Sequence, residues 1–433
     1  MTSYHAATDP VKARQFAVEV VRRLRAAGYE ALWAGGCVRD QLLGGQPKDY
    51  DVATSATPDQ VRELFGQKRT LAIGASFGVI TVLGPKAAGP IEVATFRCDV
   101  GYSDGRHPDR VTFSSPEEDA QRRDFTINGL FYDPLTERVI DYVGGQEDLR
   151  QGIIRAIREP RERFTEDKLR MLRAVRFAST FGFSLDPATL EAIRAQAHEV
   201  VIVSAERIAA EVRRMFVHAN RAKALQLLYD SQLLGVILPE ARVLDPESDE
   251  PPNETRGAIW RRTLAILQRL ERPEFATALA VVLREIPSPE RERPITPIVG
   301  ERWRLSNDEI GLADWILASE PLTGRAHLAP WPAVQRLLIA PGARELLKYL
   351  QAVEQAMGSG TAAADFCAAK LALPPLELNP PPLVTGQDLK TLGLRPGPQF
   401  KRMLDEIRDA QLEGRLRDQA AALELARQIA DRT

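Results

Sequence analysis

The chain has 433 residues, of which 44% are hydrophobic and 27% charged, a soluble globular composition too long for one core that predicts roughly two to four domains. Its 57 Lys and Arg are balanced by 59 Asp and Glu, for a formal net charge of −2, which excludes a generally basic surface and confines any nucleic-acid contact to a local patch. Cys37, Cys98 and Cys367 are widely scattered with no CxxC pair, which excludes a disulfide framework and a structural zinc site and reads as reduced thiols.

From Pro10 to Ala27 apolar residues recur at helical spacing (Phe16, Val20, Val21, Leu24), and Gly28 ends the run. Lys12, Arg14 and Glu19 interrupt that segment, so no signal-peptide core is visible. The strongest apolar run, Phe275 to Leu283, is shorter than the roughly 20 residues that span a bilayer. The expectation is a cytoplasmic protein with no membrane segment. Between Tyr29 and Asp141 short β-rich runs (Ala31–Ala34, Val79–Leu83, Ile91–Phe96) alternate with Gly, Pro and Asp, which predicts a small one-sheet α+β head.

Within that head, Gly35-Gly36-Cys37-Val38-Arg39-Asp40 follows the first strand, and Asp49-Tyr50-Asp51 follows a short turn. Alternation along an extended segment puts Asp49 and Asp51 on one face. Two adjacent carboxylates repel unless a cation neutralises them, and magnesium takes one or two carboxylates plus substrate phosphates. A two-ion site of this kind would activate a hydroxyl and stabilise a leaving pyrophosphate. The glycine pair lets backbone N–H groups approach a triphosphate, with Arg39 placed to clamp its oxygens. Glu92, among the apolar residues Ile91, Val93 and Ala94, either faces the pair as a third carboxylate or sits on the solvent face of an edge strand.

The polar, Gly-containing segment between Arg97 and Phe113 is long enough to fold over a cleft, and His107 within it reads as an exposed loop residue. From Arg150 to Arg176 nine Lys and Arg stand against four acids, so the positive footprint lies where the head meets the helical remainder. From about Gly152 onward the periodicity is helical, divided by Pro-rich breaks at 245–253, 287–297 and 373–382. Asp167, Arg170 and Arg173, three apart, are expected along one helical face, where a carboxylate accepts from a base amino group and a guanidinium donates to a ring nitrogen or carbonyl.

The ordered series resembles the class II tRNA nucleotidyltransferase and bacterial poly(A) polymerase family of the polymerase β-like superfamily. It runs through the Gly35–Gly44 turn, Asp49/Asp51, Arg122–Gly129, Asp141–Leu149 and Glu166–Phe177, and covers residues 31 to about 183. The resemblance implies a polymerase β-like head at 1–152, a helical neck at 153–240, a helical body at 241–375 and a tRNA-binding tail at 376–433. It implies that Asp49 and Asp51 bind Mg2+ as catalytic carboxylates, with Glu92, on its place in the strand, as the candidate third. Gly35, Gly36 and Arg39 would meet the triphosphate; Arg123, Asp124 and Asn128 would hold the nucleotide and discriminate the ribose. Asp167 and Arg170 would read the base, with Arg173 and Arg176 as further nucleotide contacts.

The activity so implied is template-independent addition of CMP and AMP from CTP and ATP to the tRNA 3′ end, with no obligate protein partner evident. In the family the loop at 97–113 assists the change from C to A addition, and its full length here favours A addition. Poly(A) polymerase, an A-adding specialist and a non-catalytic RNA-binding protein are the alternatives. Ser204, Glu206, Arg207, Ile208 and Glu211 match the family's neck and are expected to serve packing, with Ser204 as a helix cap. The Trp260 and Leu283 segments resemble the place of a histidine–aspartate phosphohydrolase module, but Arg262, Arg284 and Glu285 stand at its ligand positions, so no metal site or phosphatase activity is expected there. The stretch from Leu383 to Pro398 is another family signature, with Leu389 and Leu392 as apolar anchors before a final helix carrying Phe400, Met403, Leu404 and Ile407.

Overall fold

A computed structural model describes residues 9–100, 110–244, 253–290 and 292–431. His107 and the tip of its loop lie outside the described residues. The chain forms two compact units, Met1–Pro239 and Glu240–Thr433.

The first unit begins with α1 (Pro10–Ala26), β1 (Ala31–Ala34), α2 (Gly36–Leu42), β2 (Asp51–Thr54), α3 (Pro58–Phe65), β3 (Thr70–Leu71), β4 (Val79–Leu83) and β5 (Pro90–Thr95). It continues through β6 (Arg97–Val100), β7 (Arg110–Phe113), α4 (Pro116–Gln121), β8 (Leu130–Asp133), β9 (Arg138–Asp141), α5 (Gly145–Gln151) and β10 (Ile153–Ile154). The helical part comprises α6 (Pro160–Glu166), α7 (Leu169–Phe181), α8 (Pro187–Gln196), α9 (Ala205–Val217), α10 (Arg221–Asp230) and α11 (Leu234–Ile237), with β11 (Ser184–Leu185) after α7.

Local chemistry explains these limits. Asp9 caps α1 by accepting from the N–H groups of Val11 and Lys12, Pro10 takes the first turn, and Ala13, Ala17, Val20, Val21 and Leu24 form its buried face. Seven strands make one sheet in the order β3-β4-β5-β2-β1-β8-β9. Within it β2 and β5 run parallel, with Asp51 opposite Glu92 and Val52 opposite Val93. Leu32, Ala34, Ala53, Phe96, Ala120 and Phe131 make a core cluster under it.

Three sequence expectations are corrected here. The segment from Arg97 to Phe113, read as loop, starts and ends as the antiparallel pair β6–β7. The helical remainder still carries a short parallel ladder between β10 and β11. Ser204 occupies the cap position of α9, but its side chain makes no capping hydrogen bond.

The second unit is helical throughout its described residues: α12 (Asn253–Arg269), α13 (Phe275–Leu283), α14 (Ile295–Arg302), α15 (Asn307–Thr323), α16 (Trp331–Leu338), α17 (Ala343–Met357) and α18 (Ala362–Leu371), then α19 (Pro375–Leu378), α20 (Gly386–Thr391), α21 (Pro398–Leu412) and α22 (Gln419–Asp431). Val384, Leu389, Met403, Ile407, Ala422, Ala426 and Ile429 bury one another as a core of the last three helices, with Leu392 packed at its edge. Arg262, Arg284 and Glu285 are joined in ion pairs, and Arg284 Nε also donates to Glu320 at 2.7 Å. Among the described residues no helix is long and apolar enough to cross a membrane.

Candidate active site

The site is assembled at the α2 end of β1. Gly35 has φ +70°, which favours glycine, and a Cβ there would stand 2.7 Å from Arg123 Nη1, so a larger residue must also displace the end of that side chain. Gly35 also offers the first turn of α2 no side-chain cap, which leaves its N–H groups facing outward for an anion. One turn on, Arg39 is nearly buried, donating to Asp40 Oδ1 at 2.6 and 2.9 Å and lying over the rings of Phe177 and Phe181.

From Arg39 a chain of polar contacts runs across the site. Arg39 Nη1 donates to Asn128 Oδ1 at 2.6 Å, and Asn128 Nδ2 donates to Asp124 Oδ1 at 2.9 Å. Arg173 completes it, donating from Nε and Nη2 to Asp124 Oδ2 at 2.8 and 2.5 Å. Burial alone would raise the Asp124 carboxyl, but Arg173 and the Asn128 hydrogen bond outweigh it and hold the group at about 2.

Arg122 and Arg123 diverge from a common anchor. Asp119, 1% exposed, accepts from Arg122 Nε at 2.9 Å and from Arg123 Nη2 at 2.9 Å. Its burial opposes ionisation, yet the two guanidiniums hold it below the usual carboxylate range.

Asp167 differs from its expected place. Rather than sharing a helical face with Arg170 and Arg173, it caps the end of α6 in extended backbone, φ −147° and ψ 107°, just before α7. The cause is local: its Oδ1 accepts the Leu169 N–H at 3.1 Å, which starts a new helix. Its Oδ2 accepts Arg207 Nη2 from α9 at 2.8 Å. Arg170 pairs with Glu166, and Arg176 pairs with Glu211 while lying 4.0 Å over the Phe177 ring.

Most of these groups border one open cavity of ≈ 550 Å³, with Asp40, Asp119, Glu166 and Glu211 holding its arginines from outside the wall. Its wall includes Gly35, Gly36, Arg39, Arg123, Asp124, Asn128, Asp167, Arg170, Arg173 and Arg176, joined by Asp51, and also Arg122, Leu169, Phe177 and Arg207. Seven arginines therefore face three aspartates, a positive bowl in a chain of net charge −2. Sequence reasoning assigned Arg207 to packing. No local signal marks it, since Arg207 lies 40 residues from Asp167 and meets it only through the packing of α9.

Of the expected metal-side carboxylates, only Asp51 borders the cavity; Asp49 and Glu92 stand outside its wall. Exposure alternates over Asp49, Tyr50, Asp51 and Val52, the two acids outward and the other two buried, although the hydrogen-bonded strand begins only at Asp51. Although Asp51 keeps an exposed face, the protein packed around it withdraws its carboxyl from water, and this, then the Glu92 carboxylate and Asp49, push it up to about 6, against the pull of Arg123. Among the described residues no three His, Cys, Asp or Glu side chains already converge as a metal cage. A carboxylate raised by withdrawal from water and by neighbouring carboxylates, with oxygen donors alone, nonetheless suits a hard divalent cation, which would return it to its charged form.

Residues 31–155 match the family model described as the Poly A polymerase head domain, and residues 182–244 match that described as the probable RNA and SrmB-binding site of polymerase A. The chain is 33% identical over 416 residues to the CCA-adding enzyme of Lactobacillus helveticus, covering 94% of this chain and 95% of that one. It is 43% identical over 238 residues to poly(A) polymerase I of Salmonella typhi, covering 52% of this chain and 50% of that one. Its fold is similar to the crystal structure of the Bacillus stearothermophilus CCA-adding enzyme in complex with CTP, with a TM-score of 0.74 and 29% identity over 97% of this chain and 99% of that one.

Proposed function

The chain belongs to the family of CCA-adding enzymes and bacterial poly(A) polymerases, and from that premise we propose how its residues share the work of adding CMP and AMP, taken from CTP and ATP, to the 3′ end of tRNA. It is a CCA tRNA nucleotidyltransferase. The observation that carries this reading over polyadenylation is likeness along 94% of the chain to a CCA-adding enzyme, against 52% for a poly(A) polymerase.

The positive bowl receives the triphosphate. The N–H groups at the start of α2 and the guanidiniums of Arg39 and Arg123 meet its oxygens; the Asn128 side chain holds Arg39 in place, and Asp119 and the Asn128 carbonyl hold Arg123. Deeper in, Asp167 and Arg170 read the base. A carboxylate accepts the amino group that cytosine and adenine share, and a guanidinium donates to the ring nitrogen beside it. Uracil and guanine present a carbonyl at that edge and are repelled. Arg176 and Phe177 form the wall against which the nucleotide lies.

Divalent-metal use goes with the family, and we assign Mg2+ to Asp49 and Asp51, with Glu92 beside Asp51 as the third carboxylate. When bound, the metal supplies charge neutralisation at the reacting phosphate and lowers the pKa of the attacking hydroxyl. The functional divisions follow as head 1–152, neck 153–240, body 241–375 and RNA-binding tail 376–433. A cytoplasmic location fits three scattered cysteines that form no CxxC pair.

The test supplies tRNA ending before, within and after CC with labelled CTP or ATP, singly and together, and sizes the products. CCA addition gives C, C and a single A and then stops. A long A ladder would make the protein a poly(A) polymerase, and AMP transfer onto CC ends alone would make it an A-adding specialist.

A further inference from the structure

The neck helix α9 faces the cavity with a residue that the division of labour above leaves unused. Arg207 stands on its first turn and reaches 40 positions back in the chain to the base-side carboxylate, donating from Nη2 to Asp167 Oδ2 at 2.8 Å. The side chains of Arg207 and Asp167 are 24% and 17% exposed, so the pair is partly withdrawn from water and less screened by it than a surface ion pair. One turn further along α9, buried Glu211 holds Arg176 in the same way. Two cavity residues are thus set from one helix, whose motif reads in sequence as packing.

The side chain of Asp167 needs such a tether. Its backbone is held at the break between α6 and α7, its N–H donating to the Arg163 carbonyl and its carbonyl accepting the Arg170 N–H, and its Oδ1 is committed to the Leu169 N–H, which leaves the direction of Oδ2 to a further partner. The Arg207 contact is the one that settles which way Oδ2 is presented among the cavity charges. We propose that Arg207 is a positioning residue for nucleotide selection: by holding Asp167, it enforces acceptance of amino-bearing bases and rejection of carbonyl-bearing ones. The inference rests on Asp167 as the base-reading carboxylate.

The chemistry gives the role a signature. A carboxylate free to swing away loses its attraction for cytosine and also its repulsion of uracil. CTP incorporation falls while UTP incorporation falls less or rises. A helix that merely packs would lower both alike when disturbed.

The experiment measures kcat/KM for CTP and for UTP on tRNA lacking CCA, with the full chain, in Arg207→Ala, Arg207→Lys and Asp167→Ala. Circular dichroism and thermal melting establish that each variant is folded. Arg207→Ala is expected to lower the CTP-to-UTP ratio about tenfold, the scale of one charge-assisted hydrogen bond. Arg207→Lys, which keeps the charge and one donor, is expected to restore part of it. An equal fall for both nucleotides overturns the proposal, as does an unfolded Arg207→Ala accompanied by an Arg207→Lys variant with the parent's ratio and a parallel loss of both rates. If Asp167→Ala keeps full discrimination, the base-reading role itself fails. If Asp167→Ala relaxes discrimination and Arg207→Ala does not, only the role of Arg207 fails.

Discussion

Asp124 and Arg173 lie 49 residues apart in sequence and share two hydrogen bonds, of 2.8 and 2.5 Å, that fasten the head's nucleotide motif to helix α7. The pair joins the sheet-bearing part of the first unit to its helical part, so it serves stability as well as the site.

The pH dependence of that contribution follows from the depressed carboxyl. A group whose folded pKa is about 2, against an ordinary 3.8, adds stability that is full above the ordinary value and disappears as pH falls through the folded one. Asp124→Asn is expected to destabilise the protein by roughly 2 kcal/mol near pH 7, and the difference from the parent to shrink as pH falls from about 4 towards 2. Melting temperatures of parent and variant, taken in steps from pH 7 downward, check this. A gap that stays constant or widens in acid would contradict the assignment.

The same network shows what sequence could and could not carry. Gly35, Arg39, Arg123 and Asp124 were legible because each sits in a short segment whose residue types serve one phosphate-binding task. The strands β1 and β4 were legible at their observed ends because apolar runs broken by Gly and Asp mark them. Asp119 was not, since a buried acid four residues before an arginine looks like any helical ion pair. Asp167 was placed on a helix because its spacing to Arg170 fits one. The competition from its own side chain for the Leu169 N–H, which breaks the helix there, has no periodic signature. The pairing of Arg207 with Asp167 depends on how α9 packs, which local pattern does not encode.

Asp119 holds Arg122 and Arg123 together, and removing its charge loosens both. Asp119→Asn keeps the shape and weakens the anchor. The expected result is a rise of about tenfold in KM for both CTP and ATP, with tRNA affinity within about twofold of the parent. Steady-state kinetics with each nucleotide, alongside tRNA binding by filter retention, separate the two quantities. A defect confined to one nucleotide would place Asp119 in base selection instead.

Gly35 meets two demands at once. An alanine there costs about 1–2 kcal/mol for the left-handed backbone alone, and its methyl would press on Arg123 Nη1. Gly35→Ala is therefore expected to weaken nucleotide binding more than Gly36→Ala, whose Cβ would meet only Arg39 Nη2 at an ordinary 3.6 Å. Calorimetric titration of CTP into the two variants ranks them, and equal affinities would show that the approach to Arg123 is relieved by side-chain movement.

The carboxylates can be ranked by where they sit. Asp51 borders the cavity and carries the repulsion of Glu92 and Asp49, so its removal takes away the group around which the negative charge is gathered. Glu92 stands beside it across the β2–β5 ladder, outside the cavity wall. Asp51→Ala is expected to reduce kcat by at least about 1,000-fold and Glu92→Gln by about 10- to 100-fold, with tRNA affinity within about twofold in both. Single-turnover incorporation of labelled CMP, measured over a Mg2+ titration, decides the matter. A carboxylate that helps hold the metal shifts the Mg2+ concentration for half-maximal rate upward, whereas one that only shapes the strand lowers the rate at every concentration. Should Glu92→Gln leave both the rate and the Mg2+ midpoint unchanged, Glu92 is a solvent-facing strand residue and the catalytic acids reduce to Asp49 and Asp51.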